Sequence, residues 1–274
     1  VPVRRADKMH VATADIELAR RLEQSISLAP MQAHEAATVM CGPFRAFFAP
    51  YTDNPELSYA MPVAPIAATR EFEVSIENLR ALFAERGRTL RFEFVEELWP
   101  NLAMVLERMG LHLQAREPLM ACSANEFRPS RVFDVGVRRL LAEDADDELT
   151  AFLKIRDALP ADVARRTSAT TIARLRETLS QSNDRFALAT IAGQPAGTGR
   201  CIFQAAGLGE ITAIVTTPAM RRRGVAAAVV SFLLNELFEN GGDIAWLNAA
   251  NEQARSVYAR LGFRSIGSLL NYEA

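Results

Sequence analysis

Three arginines in a row, Arg221, Arg222 and Arg223, precede Gly224 and stand between two apolar runs. The run before them, GEITAIVTT, alternates like a strand and stops at Pro218, which lacks the N–H that a ladder needs. The run after them begins at Val225 and has the spacing of a buried helix. A helix start leaves its first N–H groups without intrahelical partners and carries partial positive charge. A glycine there lets the backbone come close to a ligand. Three added guanidinium groups make an anion cradle suited to a pyrophosphate. The competing reading is a solvated basic turn that only ends the strand. Against it, the turn holds no acidic residue to offset the three cations.

Other reactive patterns are mostly missing. G-x-x-x-x-G-K-[ST] does not occur, which argues against a P-loop nucleotide hydrolase. GTG at Gly197 and GLG at Gly207 lack a third glycine and a following helix, so they read as turn glycines between strands. There is no G-x-S-x-G and no paired Cys and His, so no covalent enzyme intermediate is suggested. His10, His34 and His112 are scattered through the N-terminal half, and no carboxylate cluster has ligand spacing, so the expectation is no metal. Two titratable residues stand out. Tyr258 lies on the apolar face of a helix with Ala254, Val257 and Leu261; it reads as a core aromatic, yet its hydroxyl still needs a partner. Glu210 opens the strand that ends at the arginines, where a carboxylate can take a proton from an amine or can simply be a solvated strand-end acid.

The elements that position these residues can be read from periodicity. Polar SANEFRPSR separates two structured stretches, which gives residues 1–126, a linker at 127–130 and residues 131–274. After it come a strand in RVFDVGVRRL, helices over 143–153 and 169–179, and strands over 186–193 and 198–205 around a turn at Gln194 and Pro195. Next come the strand before the arginines, the helix after them, the strand DIAWLNA, the helix NEQARSVYARLGF and a last strand over 263–272. Helices alternating with strands imply an α/β fold with a sheet covered on both faces. The N-terminal half carries a partial echo: ALFAERGRTLRFEF parallels ELFENGGDIAWLN, and AMVLERMGLHL parallels RSVYARLGFRS. Self-similarity of this kind points to duplication.

The bulk numbers exclude several partners. A net charge of −2 over 274 residues does not suit a general nucleic-acid or membrane-surface binder. The basic start lacks a following apolar h-region, and the longest apolar stretch, 225–234, is half of what a span needs. Cys41, Cys122 and Cys201 are few and far apart, consistent with reduced thiols in the cytoplasm.

Arg221-x-x-Gly224-x-Ala226, after a strand and opening a helix, resembles the [QR]-x-x-G-x-[GA] acetyl-CoA signature of the GNAT acyltransferase superfamily. Asn251, Ala254, Tyr258, Gly262 and Phe263 resemble that family's N-x-x-A-x-x-x-Y-x-x-x-G-F segment. The resemblance covers 131–274 and implies a mixed-sheet α/β fold, with the N-terminal half a degenerate GNAT-like copy in tandem. It implies an N-acyltransferase using acetyl-CoA as co-substrate, with direct transfer to an amine in a ternary complex. Pantetheine would lie in a V-shaped opening, bonded by backbone groups of Ile214, Val215 and Thr216. The amides of Arg222, Arg223, Gly224, Val225, Ala226 and Ala227 would take the pyrophosphate, and Asn251 would bond the pantetheine arm or its phosphate end. Tyr258 would be the general acid, and Glu210 has the placement of the base in one branch. In the N-terminal copy Leu106 replaces Tyr258 and Trp99 replaces Asn251, so CoA binding there is expected to be lost. The rival expectation is a non-catalytic acyl-CoA-binding or protein-interaction module. The amine acceptor is left open: the acceptor loops, around 154–167, carry both charges and specify nothing.

Overall fold

The computed structural model describes residues 13–32 (backbone only from 27), 37–49, 58–65, 70–157 and 169–274. Most of the segment between Lys154 and Thr167 lies outside these residues, as do His10 and His34. The chain forms two units, Val1–Leu119 with Ser265–Ala274, and Met120–Arg264.

The first unit contains α1 (Thr13–Gln32), β1 (Ala37–Cys41), β2 (Phe44–Phe48), β3 (Tyr59–Pro62), α2 (Arg70–Ala84), β4 (Arg91–Val95), α3 (Leu102–Arg108) and the start of β5 (His112–Ser123). Strands β1, β2 and β3 pair antiparallel, and β3 meets β4 parallel at Ala60 and Phe92. α2 turns Phe72, Ile76, Leu79 and Phe83 inward at helical spacing. They meet Phe44, Phe92 and Phe94 in one core.

The second unit continues with β6 (Gly136–Arg139), α4 (Asp146–Arg156), α5 (Ala169–Gln181), β7 (Arg185–Ile191), β8 (Gln194–Phe203), β9 (Leu208–Thr216), α6 (Val225–Glu239), β10 (Ile244–Asn248) and α7 (Glu252–Arg260). Its strands lie in the order β10-β9-β8-β7-β6, antiparallel except for β9 and β10. α6 covers one face, with Val229, Leu233 and Leu237 in a core shared with Ile211 and Leu247. α4 and α5 cover the other, around Phe152, Phe186 and Leu188. A mixed α/β sheet covered on both faces is what the alternation of elements predicts.

The last strand, β11 (Arg264–Glu273), departs from the expected division. From Ser265 onward it belongs to the first unit, not to a 131–274 domain. It pairs antiparallel with β4 from Leu269↔Val95 to Glu273↔Arg91. Leu270 and Tyr272 enter the first core, and the Tyr272 hydroxyl donates to Glu107 at 2.9 Å. The expected linker is likewise built into the second unit. Phe127 packs on Phe238, the Arg128 N–H donates to the Leu261 carbonyl, and the Ser130 N–H donates to Ser231 Oγ. Polar composition there reflects partial exposure of an anchored segment.

The echo between halves is present in three dimensions. The chain order α2-β4-α3-β5 repeats as α6-β10-α7-β11. The glycines of each repeat match in conformation, with φ of 63° at Gly87 against 84° at Gly241, and 79° at Gly110 against 105° at Gly262.

Gly262 also has a steric role. A Cβ there would lie 2.1 Å from the Glu126 carbonyl oxygen. We expect Gly262→Ala to destabilise the protein by about 3 kcal/mol, from left-handed backbone strain plus overpacking. Thermal denaturation checks this, and an unchanged midpoint would mean that the approach to Glu126 is not maintained.

Candidate active site

The site is built on β9. On one side β8 pairs with it as far as Gly197↔Thr216. On the other side β10 pairs with it only from Ile244↔Leu208 to Trp246↔Glu210. Beyond Glu210 the β10-facing edge of β9 has no partner strand among the described residues, and residues 212–216 are only half-buried. Unpaired N–H and C=O groups on such an edge are a template for an extended ligand. A bulge shapes the opening: Ala213 and Ile214 together oppose Gly199, and Ala213 has φ 52°. The Thr198 hydroxyl donates to the Ala213 carbonyl at 3.3 Å and holds the bulge. Bulges increase strand twist, which turns the free edge away from β10.

Gly197 and Gly199 are not turn glycines, as the sequence suggested; they lie within β8. A Cβ on Gly197 would meet Val225 Cγ1 at 2.5 Å, and one on Gly199 would meet Val229 Cγ1 at 2.5 Å. Their bareness lets α6 lie close to the sheet and brings its first turn to the end of β9. The hairpin turn before β8 is at Ala192 and Gly193, both with positive φ, rather than at Gln194 and Pro195.

After β9, one 3-10 turn over Pro218–Met220 leads into the arginines. Arg222 has φ 62° and Gly224 has φ 80° with ψ 6°. Gly224 is the N-cap of α6, and no side chain caps this helix start. The first intrahelical bond is Ala228 N–H to the Gly224 carbonyl, so the amides of Val225, Ala226 and Ala227 are left over. Arg221, Arg222 and Arg223 are exposed, and none forms an ion pair among the described residues. Free amides, a helix N-terminus and three uncompensated cations meet in one turn. That arrangement suits a multiply charged anion, and it weakens the reading of a merely solvated turn.

Tyr258 lies on α7 with 8% of its surface exposed and its ring 6.0 Å from Phe263. Its ring is in the core, while its hydroxyl has no hydrogen-bond partner among the described residues. Burial pushes the phenol up to about 12, so it keeps its proton at neutral pH. Asn251 is the N-cap of α7, and its Oδ1 accepts from the Ala254 N–H at 2.9 Å. Its Nδ2 makes no hydrogen bond among the described residues and is open to a ligand.

Glu210 occupies the last paired position before the opening. It is not a solvated acid. Desolvation by burial pushes its carboxyl up to about 7, opposed by Arg200 and reinforced by Asp184. Gln204 Nε2 donates to Glu210 Oε2 at 3.3 Å, and Trp246 Nε1 donates to Gln204 Oε1 at 3.0 Å. Gln204 escaped the sequence reading because it falls in a short connection with no motif. Asn248 escaped it too. It is two residues beyond Trp246 on β10, and its buried Oδ1 has no hydrogen-bond partner.

Trp99, at the position matching Asn251 in the N-terminal repeat, has a different task. Its indole donates to both oxygens of buried Glu23, at 3.0 and 2.8 Å. Leu106, at the position matching Tyr258, is fully buried. A cavity of about 750 Å³ lies against Glu23, Trp99 and Arg45 in this unit, remote in sequence from the arginine turn. Among the described residues no His, Cys, Asp or Glu cluster could hold a metal, and no helix is long and apolar enough to cross a membrane.

Comparison with curated proteins gives no match. Among solved structures, a GCN5-related N-acetyltransferase from Kribbella flavida aligns with a TM-score of 0.75 at 24% identity, covering 93% of this chain and 95% of its own. A tandem GNAT protein from the clavulanic acid biosynthesis pathway aligns with a TM-score of 0.62 at 14% identity, covering 84% and 78%. A GCN5-related N-acetyltransferase from Sphaerobacter thermophilus aligns with a TM-score of 0.60 at 16% identity, covering 85% and 76%. Identities this low speak for the fold. A family model, Acetyltransferase (GNAT) family, matches residues 147–263, from α4 through α7 to Phe263. Residues 147–263 thus match the GNAT acetyltransferase family, and the chain as a whole has the fold of tandem GNAT proteins.

Proposed function

We propose that the protein transfers an acetyl group from acetyl-CoA directly to an amine bound in the same cleft. The observation that carries this reading is the parting of β9 from β10 at Glu210, with the uncapped, arginine-rich start of α6 at the far end of the same strand. Pantetheine lies along the free edge at Ile214, Val215 and Thr216 as an added strand. The pyrophosphate rests on the amides of residues 222–227, with Arg221, Arg222 and Arg223 adding charge. The Asn251 Nδ2 is available to the pantetheine arm.

The acceptor arrives as an ammonium ion and gives one proton to Glu210, whose pKa of about 7 suits that task. The free amine attacks the thioester carbonyl carbon. A C–N bond forms, the C–S bond breaks, and a backbone N–H near Val215 stabilises the oxyanion in between. Tyr258 donates its proton to the departing thiolate, and the nitrogen, which must lose a second proton to become an amide, returns one to the Tyr258 oxygen, so that the amide, the free thiol, neutral Tyr258 and protonated Glu210 remain. Burial keeps the phenol protonated at the working pH, so the proton is in place when the thiolate leaves.

Tyr258→Phe tests this role because it removes only the hydroxyl, and that hydroxyl holds no other group in place. The expected result is a kcat lower by roughly ten- to a thousand-fold, with acetyl-CoA affinity nearly unchanged. Thiol release with a panel of primary amines, followed by titration calorimetry, measures both. Equal turnover in the variant would remove Tyr258 from the mechanism.

A further inference from the structure

The connection between β8 and β9 brings a carboxamide to the carboxylate that ends the paired part of β9. Gln204 Oε1 accepts the Trp246 indole N–H at 3.0 Å, while Gln204 Nε2 lies 3.3 Å from Glu210 Oε2. An indole nitrogen only donates, so it fixes which end of the carboxamide faces it. The oxygen must point to Trp246, and the NH2 must then point to Glu210. Trp246 is also the register partner of Glu210 across the two strands, so all three groups meet at the last rung before the opening.

We propose that Gln204 is a positioning residue for Glu210, held in one orientation by the Trp246 indole so that its N–H favours the ionised carboxylate and restrains it where the strands part. This inference rests on Glu210 being the base.

The surroundings leave few other groups to do this. Arg200 acts on Glu210 from β8 but is committed to Asp184, to which its Nε donates at 3.0 Å. The neighbouring Cys201 thiol is buried and pushed up to about 12, so it is neutral. β10 carries no titratable side chain. α4, packed on the same face, carries Asp146, Asp147 and Glu148 in its first turn and Lys154 and Arg156 in its last. On the opposite face α6 carries Glu236, paired with Arg185, and Glu239. Gln204 is thus the neutral donor that stabilises the charged form of Glu210 without adding a charge that would draw its pKa far down.

The chain has two tryptophans, Trp99 and Trp246, so the experiment can be read from two indole N–H resonances. Trp246→Phe assigns them. In the wild-type protein the Trp246 resonance is expected to move with a midpoint near the Glu210 value of about 7. It should not move in Glu210→Gln. In Gln204→Met, which keeps side-chain length without the amide, most of the movement should vanish. The acid limb of the pH profile for thiol release with primary amines should also rise by about half a unit to one unit, a three- to ten-fold loss at pH 6. A Trp246 resonance that titrates in Gln204→Met as in the wild type, or not at all in the wild type, overturns the link. An acid limb that persists in Glu210→Gln overturns the base instead.

Discussion

Gly224→Asp is expected to abolish measurable acetyl-CoA binding while leaving the protein folded. Gly224 caps α6 with φ 80°, a conformation in which aspartate and asparagine are the best tolerated substitutes. The added Cβ would come within 2.9 Å of Val132 Cγ2, so Val132 must yield by a few tenths of an ångström. Strain and crowding together cost about 1–2 kcal/mol. An N-cap carboxylate recovers part of that by accepting from the first-turn amides of α6. The same carboxylate then occupies the donors proposed for the pyrophosphate and repels it. A like-charge pair about 5 Å apart at an effective dielectric of about 20 is worth about 3 kcal/mol, on the order of a hundred-fold in affinity. Gly224→Asn carries nearly the same bulk without the charge and should lose about ten-fold or less. Calorimetric titration of both folded variants separates charge from shape. Equal affinity for wild type and Gly224→Asp would remove the pyrophosphate from this turn.

Glu210→Gln is expected to lower kcat/KM by about a hundred- to ten-thousand-fold and, at the same time, to stabilise the protein at alkaline pH. The sign follows from the direction of the shift. Burial raises the carboxyl from 4.5 to about 7 in the folded protein, so between those values the folded state holds more protons than the unfolded one. Stability from this group is fully present below 4.5 and is lost as pH rises to about 7. The displacement corresponds to about 3 kcal/mol at most, less whatever water reaches the cleft. Glutamine does not ionise, so the variant should melt several degrees above the wild type at pH 8, with little difference at pH 5. Loss of activity with gain of stability is the signature of a group kept for chemistry rather than for packing. An equal or lower melting temperature at pH 8, with activity retained, would assign Glu210 to the framework.

Much of the second unit was legible because its signals are local. An alternating run, a proline, a cation-rich turn and an apolar helix occur within some thirty residues, and β9, the turn and α6 form as that pattern demands. The N–x–x–A spacing after β10 is legible for the same reason, although Asn251 first of all caps its own helix. What escaped is long-range. Ile266, Leu269, Leu270 and Tyr272 announce a strand with buried positions but not which of two apolar cores receives them. The partner, β4, is more than 170 positions away, so the last strand was assigned to the wrong unit. Gly197 and Gly199 read as turn residues because a glycine needed for close helix approach looks the same in sequence as one needed for a turn. The Trp246–Gln204–Glu210 chain joins three elements by side chains alone, and no spacing rule encodes it.

The central claim is that an acyl-CoA lies along the free edge of β9 and ends on the start of α6. Backbone hydrogen exchange with and without acetyl-CoA tests it directly, because the proposed contacts are largely backbone amides. The account predicts slowed exchange in two segments, residues 212–216 and residues 222–227, with no comparable change in the first unit. Acetyl-CoA that leaves both segments unprotected, or that protects the first unit instead, would contradict it.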